Sequence, residues 1–179
     1  MRFQAIVLCG MFCAAMTTIV QAAPFTLTSP GTPDGGKFTS DPAAVRCGGK
    51  DISPPFAWTG APAGTASFAM TAWDQDGQKG QGVAHMVVYG IAPTTTSLAA
   101  GVLSGPATGF VAGSNLAGPG GLLGFCPPPG SAPHAYQFTI FALDLPPNAL
   151  APGLGRADFF AAIKGHTLDV ASFVAFYNR

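Results

Sequence analysis

From Phe25 onward the chain is built of short apolar runs, each bounded by Gly, Pro, Asp or Ser. Four read as strands: Phe25-Thr-Leu-Thr28, Ala66-Ser-Phe-Ala-Met-Thr-Ala-Trp73, His85-Met-Val-Val-Tyr-Gly-Ile91 and Ala135-Tyr-Gln-Phe-Thr-Ile-Phe-Ala-Leu143. No helical repeat separates them, so the pattern predicts an all-β sandwich or barrel and argues against a doubly wound sheet, whose parallel strands need crossover helices. In the last run Tyr136, Phe138, Ile140 and Ala142 share one face, and Gln137, Thr139, Phe141 and Leu143 the other. Both faces are mostly apolar, which predicts a central strand covered on both sides. One segment, Arg156-Ala-Asp-Phe-Phe-Ala-Ala-Ile-Lys164, has helical spacing through Phe159, Phe160 and Ile163, and Gly165 ends it. The closing alternation Phe173, Ala175, Tyr177 suits a last strand or a second helical turn.

The N-terminus follows a different rule. Arg2 precedes an apolar run from Ala5 to Met16, and small residues stand at Val20-Gln-Ala22. That run is shorter than the ~20 residues a spanning helix needs, and the order of charge, apolar run and small residues is that of a cleaved secretory signal. Residues 1–22 are therefore expected to be a signal peptide and residues 23–179 one mature domain, periplasmic or secreted. No stable membrane anchor is expected.

Composition narrows the function. Only 9% of the 179 residues are charged, with 8 Lys+Arg against 8 Asp+Glu. Such a chain offers no basic stripe for nucleic acid and no polybasic patch, while 48% apolar content excludes a disordered chain. Every acid is Asp, so H-E-x-x-H metalloprotease chemistry is excluded. Cleavage would remove Cys9 and Cys13 and leave Cys47 and Cys126 in an oxidising compartment. The pair is either a disulfide or two buried thiols acting as small apolar residues.

The candidate chemistry gathers around two histidines. His85 follows Asp74-Gln-Asp76 across a Gly-rich connection, Gly77 to Gly82. If the flanking runs pair as a hairpin, the Asp pair and His85 lie at one end of adjacent strands, where a carboxylate would fix the imidazole tautomer and favour its anion-accepting, protonated form. His134 and Tyr136 are two apart on one strand, so imidazole and phenol share a face. The segment from Gly101 to Gly130 is too long for an ordinary connection and is either functional or loosely ordered. Its end, Gly124-Phe-Cys-Pro-Pro-Pro-Gly130, is stiffened by three prolines and leads into His134. Core packing is expected of Trp58 and an extended turn of Pro54-Pro55, and a structural role of His166.

Taken together, Arg46-Cys-Gly-Gly, Ser53-Pro-Pro-Phe-Ala-Trp58, Asp74-Gln-Asp76, His85-Met-Val-Val88, Cys126-Pro-Pro-Pro-Gly130, His134-Ala-Tyr136, Phe141-Ala-Leu-Asp144 and Gly165-His-Thr-Leu168 resemble the phosphatidylethanolamine-binding protein family, in its bacterial Raf kinase inhibitor-like branch. The resemblance implies a mainly β, Greek-key β-sandwich with a short C-terminal helical segment and a small pocket for phosphate-type anions. Carried over, the pocket would be bordered by Asp74, Asp76, His85, Gly124, Phe125, Cys126, Pro127, Pro128, His134 and Tyr136. Two positions depart from the family pattern. Gln75 replaces the proline of Asp-Pro-Asp and removes its φ restraint, and Phe125 replaces the proline of Gly-Pro-Cys-Pro-Pro, where a bulky ring would narrow the pocket mouth or wall it.

The expected function is binding of a small anion, phosphate or a phosphoethanolamine-like head group, with neither cofactor nor catalytic residue. An inhibitor or regulator that meets a protein partner through surface loops is the alternative. A metal-dependent hydrolase using Asp74, Asp76, His85 and His134 is disfavoured, because their spacing is no zinc signature and G-x-S-x-G is absent.

Overall fold

The computed structural model describes residues 23–179, so the expected signal peptide lies outside the described residues. Two antiparallel sheets face one another. The smaller contains β1 (Thr26–Thr28), β2 (Phe56–Thr59) and β5 (Ser97–Leu98), and the larger contains β3 (Ser67–Asp74), β4 (Val83–Ile91), β6 (Val111–Ala112), β9 (His134–Leu143) and β10 (Thr167–Tyr177) in the order β10-β9-β3-β4-β6. A ribbon of β7 (Ser114–Asn115) and β8 (Gly118–Pro119) stands apart. β3 turns directly into β4, while β9 returns to the other side of β3 after the long Gly-rich segment. That return is the Greek-key-like step.

The sandwich forms because strand periodicity gives each sheet an apolar inner face. Phe25, Leu27, Phe56 and Trp58 from one sheet meet Phe68, Met70, Met86, Val88, Phe138, Ile140 and Phe173 from the other. The opposite face of the large sheet is covered as well: Ala69, Val87, Tyr89, Phe141 and Leu143 form a second cluster with Phe159 and Ile163 of the helix Arg156–Ala162. This explains why β9 is apolar on both faces. Phe138 and Ile140 enter one core, Phe141 and Leu143 the other.

The predicted strands are present within one or two residues of their expected ends, and the helix ends at Ala162 rather than Lys164. The closing alternation is a strand, not a helical turn: β10 buries Ala171, Phe173, Ala175 and Tyr177 on alternate positions beside β9. Beyond the Pro54-Pro55 extended segment, β2 is a strand that is not among the four predicted ones, and its Trp58 is 2% exposed in the core, as expected. The 101–130 segment is pinned by buried Leu103, Phe110, Leu122 and Phe125.

Cys47 and Cys126 form a disulfide, with Cα atoms 5.6 Å apart. Closing so long a loop contributes about 4 to 5 kcal/mol through loop-closure entropy of the unfolded chain. The bridge joins the turn Val45–Cys47 to the Pro-rich loop, and the same two segments are stitched by backbone bonds from Ala44 N–H to the Phe125 carbonyl at 2.9 Å and from Phe125 N–H to the Pro42 carbonyl at 3.0 Å. Among the described residues no helix is long and apolar enough to cross a membrane.

Candidate functional site

Strand pairing brings three chain ends together. Asp74 closes β3 opposite Tyr136 of β9 and Val83 of β4, so the starts of β4 and β9 flank the carboxylate on both sides. Around it opens a cavity of about 270 Å³, whose walls include Arg46, His85, Gly124, Cys126, Pro128 and His134. Leu116 and Leu123 of the long segment, and Gly77, Gln78 and Val83 of the hairpin, complete it.

Asp74 is the hub, 3% exposed. Its Oδ1 accepts the Asp76 N–H at 2.9 Å and the Gly77 N–H at 3.0 Å, and its Oδ2 accepts His134 Nδ1–H at 2.8 Å. His85 Nε2 stands 3.8 Å from the same oxygen. Burial alone would raise the carboxyl's pKa; the facing His85 imidazole, the hydrogen bond and charge of His134 and the Asp76 N–H outweigh it, and the net pKa is below the usual value. The hairpin argument placed this carboxylate with His85. Its closer partner is His134, because β9 rather than β4 presents an Nδ1 at contact distance.

The two imidazoles are oriented alike. His85 donates Nδ1–H to the Leu123 carbonyl at 2.7 Å and His134 donates Nδ1–H to Asp74, and neither Nε2 makes a hydrogen bond among the described residues. Because a carbonyl or carboxylate oxygen only accepts, the Nδ1 proton is fixed in both rings. Each Nε2 is then a lone-pair acceptor in the neutral ring and an N–H donor in the protonated one. A pocket with two such nitrogens can hold an anion by charge-assisted bonds, or a partly protonated phosphoryl group through its hydroxyl.

Four expected site residues do not line the cavity: Asp76, Phe125, Pro127 and Tyr136. Asp76 is exposed, and its Oδ2 accepts the Ala135 N–H at 2.8 Å, tying the turn to the first residues of β9. The turn is also held by the Asp74 carboxylate, so the proline absent at Gln75 is not needed to fix it. Phe125 neither narrows the mouth nor walls it. Its ring is fully buried and stacks on Tyr136 at 3.8 Å between centroids, with His85 edge-on to both. Tyr136 shares a side of β9 with His134, as its spacing requires, yet lies under this lid with no exposure. Its hydroxyl is beside Asp74 without a hydrogen-bond partner among the described residues. Burial first, then the Asp74 charge, push its pKa well above the ordinary tyrosine value, so it stays a neutral phenol.

Gly124 is required by close approach: a Cβ there would overlap the Asp51 carboxylate and come within 2.7 Å of Ala44 Cα and N. Arg46 was quoted in the family pattern but not assigned to the pocket. Its neighbour Cys47, bonded to a pocket-loop cysteine, was the only signal that could have placed it there. His166 pairs with Asp144 at 2.8 Å at the far end of β9, away from this cluster. Among the described residues no group of three His, Cys or acidic side chains is placed to hold a metal.

Known proteins are similar to this chain in sequence and fold. The sequence profile described as phosphatidylethanolamine-binding protein matches residues 28–178. YbcL of Escherichia coli strain K12 is 40% identical over 136 residues, covering 73% of this chain and 74% of its own. LppC of Mycobacterium tuberculosis strain H37Rv is 39% identical over 139 residues, covering 75% of this chain and 65% of its own. The crystal structure of E. coli YbcL, described as a new member of the mammalian PEBP family, superposes with a TM-score of 0.78 at 32% identity, over 88% of this chain and 99% of that one.

Proposed function

The chain belongs to the phosphatidylethanolamine-binding protein family, and on that premise we propose that it is an exported protein binding small phosphoryl-type anions, phosphate or the monoester of a phosphoethanolamine-like head group, in the cavity at the ends of β3, β4 and β9. The observation that carries this reading is the pair of imidazoles on the cavity wall whose Nδ1 protons are committed to Leu123 and Asp74; neither Nε2 makes a hydrogen bond among the described residues, His85 Nε2 standing 3.8 Å from Asp74 Oδ2. Asp74 orients rather than binds. Its two oxygens already take three N–H donors, which leaves little acceptor capacity for a ligand ammonium. The site is therefore expected to read the phosphoryl group and to be nearly indifferent to an attached amine.

Binding without turnover fits the wall chemistry. Among the described residues the cavity lining contains no hydroxyl or amine side chain, and the sulfur of Cys126 is held in the disulfide. Exposed apolar side chains adjoin the site: Leu116, 57% exposed, is on the wall, and Val45, 66% exposed, precedes Arg46. They suit an anion that arrives as the ester of a less polar group. Export is supported by the N-terminal pattern and by a disulfide that persists in oxidising compartments.

Calorimetric titration of the purified protein with methyl phosphate and phosphoethanolamine, beside His134→Ala and His85→Ala, tests the reading. Saturable binding of both ligands within about threefold of each other, weakened about tenfold or more in each variant, is expected for charge-assisted contacts. Equal binding by protein and variants would overturn it. Intact mass lacking residues 1–22 checks export.

A further inference from the structure

We propose that Arg46, held beside the cavity by the Cys47–Cys126 disulfide, is the specificity-determining residue of the site and selects doubly charged phosphoryl groups over singly charged carboxylates. The inference rests on the anion-binding reading above and adds the residue that sets charge preference. Among the described residues Arg46 is the one lysine or arginine on the cavity wall. With neutral imidazoles, its charge only balances that of Asp74, and any attraction for a second ligand charge is then Arg46's to supply. A guanidinium keeps its charge throughout the range in which imidazoles titrate; its planar fork fits two oxygens of a phosphoryl group or of a carboxylate alike, so the preference comes from the ligand's second charge.

Nearby carboxylates are committed elsewhere. Asp51 Oδ2 accepts the Val45 N–H at 3.2 Å, Asp41 pairs with Lys50 at 2.9 Å, and Asp74 is engaged by His134 and its own turn. Arg46 has no carboxylate partner among the described residues. Its position depends on long-range links. The Val45–Cys47 turn is a single short 3-10 turn on the surface, fixed to the pocket loop by the disulfide and by the Ala44–Phe125 backbone bond. Cys126 is itself on the cavity wall, so the bridge connects the cation directly to the site it serves.

The test is a titration with methyl phosphate and with acetate, near pH 6 and near pH 8.5, of the protein, Arg46→Gln, Arg46→Lys, the double variant Cys47→Ser/Cys126→Ser, and the triple variant that adds Arg46→Gln. Arg46→Gln is expected to weaken methyl phosphate about tenfold and acetate less than about threefold, with the larger loss near pH 8.5, and Arg46→Lys to restore part of it. Removing the disulfide should weaken methyl phosphate while Arg46 is present and change it less than about twofold in the Arg46→Gln background. Circular dichroism verifies folding, and if the cysteine variants do not fold, the two Arg46 variants decide. Methyl phosphate affinity within twofold of the unaltered protein in Arg46→Gln, or equal losses for the two anions, would overturn the proposal. Undiminished sensitivity to the cysteine changes without Arg46 would overturn the disulfide's part in it. Loss of binding in His134→Ala with no effect of Arg46→Gln would refute this inference alone, whereas binding of neither anion by the unaltered protein would refute the site reading itself.

Discussion

Asp74→Asn isolates what holds the site together. The carboxylate accepts three N–H groups, from Asp76, Gly77 and His134, at 2.8 to 3.0 Å. An amide keeps one acceptor oxygen. If that oxygen stays with the two backbone donors, the new NH2 group meets His134 Nδ1–H donor against donor, and the ring must move its proton to Nε2 to accept from the amide. One charge-assisted bond becomes neutral and two others weaken, a loss of about 2 to 4 kcal/mol at this buried position. The pH dependence has a definite sign. Because the folded carboxyl has a pKa below the ordinary value of 3.8, its contribution is fully present above that value and is lost as pH falls through the lower folded value. Urea unfolding followed by the fluorescence of Trp58 and Trp73 should therefore show a gap of about 2 to 4 kcal/mol between the protein and Asp74→Asn near neutrality, closing below the ordinary carboxylate range. A gap that stays constant down to pH 2.5, or is under about 0.5 kcal/mol at neutrality, would refute the reasoning.

Gly124→Ala should destabilise by more than about 2 kcal/mol in thermal unfolding, because the added Cβ meets the Ala44 backbone as well as the Asp51 carboxylate, and moving the side chain alone cannot relieve the overlap. Tyr136→Phe removes a buried hydroxyl with no hydrogen-bond partner among the described residues and should change stability by less than about 1 kcal/mol, whereas Tyr136→Ala removes the ring that stacks on Phe125 and should cost about 3 to 5 kcal/mol by urea unfolding. Cys47→Ser with Cys126→Ser should lower the unfolding midpoint by an amount equivalent to as much as about 4 to 5 kcal/mol, measured against the oxidised protein.

Much of the fold was legible because strand periodicity is local. The two-sided apolar pattern of Ala135–Leu143 implied a central strand, and it is one, since sheet order places β9 between β10 and β3. The closing strand was ambiguous in sequence because its two faces differ little in polarity: Val170, Val174 and Phe176 alternate with the buried Ala171, Phe173, Ala175 and Tyr177, so the period-two signal is weak. At the site, the period-two argument correctly put His134 and Tyr136 on one side of β9. It could not show depth: Phe125, brought in by a parallel bridge to Ala43, caps the phenol from outside the strand. The same long-range bridge and the disulfide carry Arg46 to the cavity, and no spacing near Arg46 encodes either. Asp76 likewise finds its partner, the Ala135 N–H, across a strand pairing that joins distant parts of the chain.

The most direct measurement is an amide NMR titration of the purified protein with methyl phosphate, followed residue by residue. Saturable shifts concentrated at Gly77, His85, Leu123, Gly124 and His134, and absent in His134→Ala, are the predicted result. Shifts scattered over the surface, or none at millimolar ligand, would contradict an anion site at the ends of β3, β4 and β9.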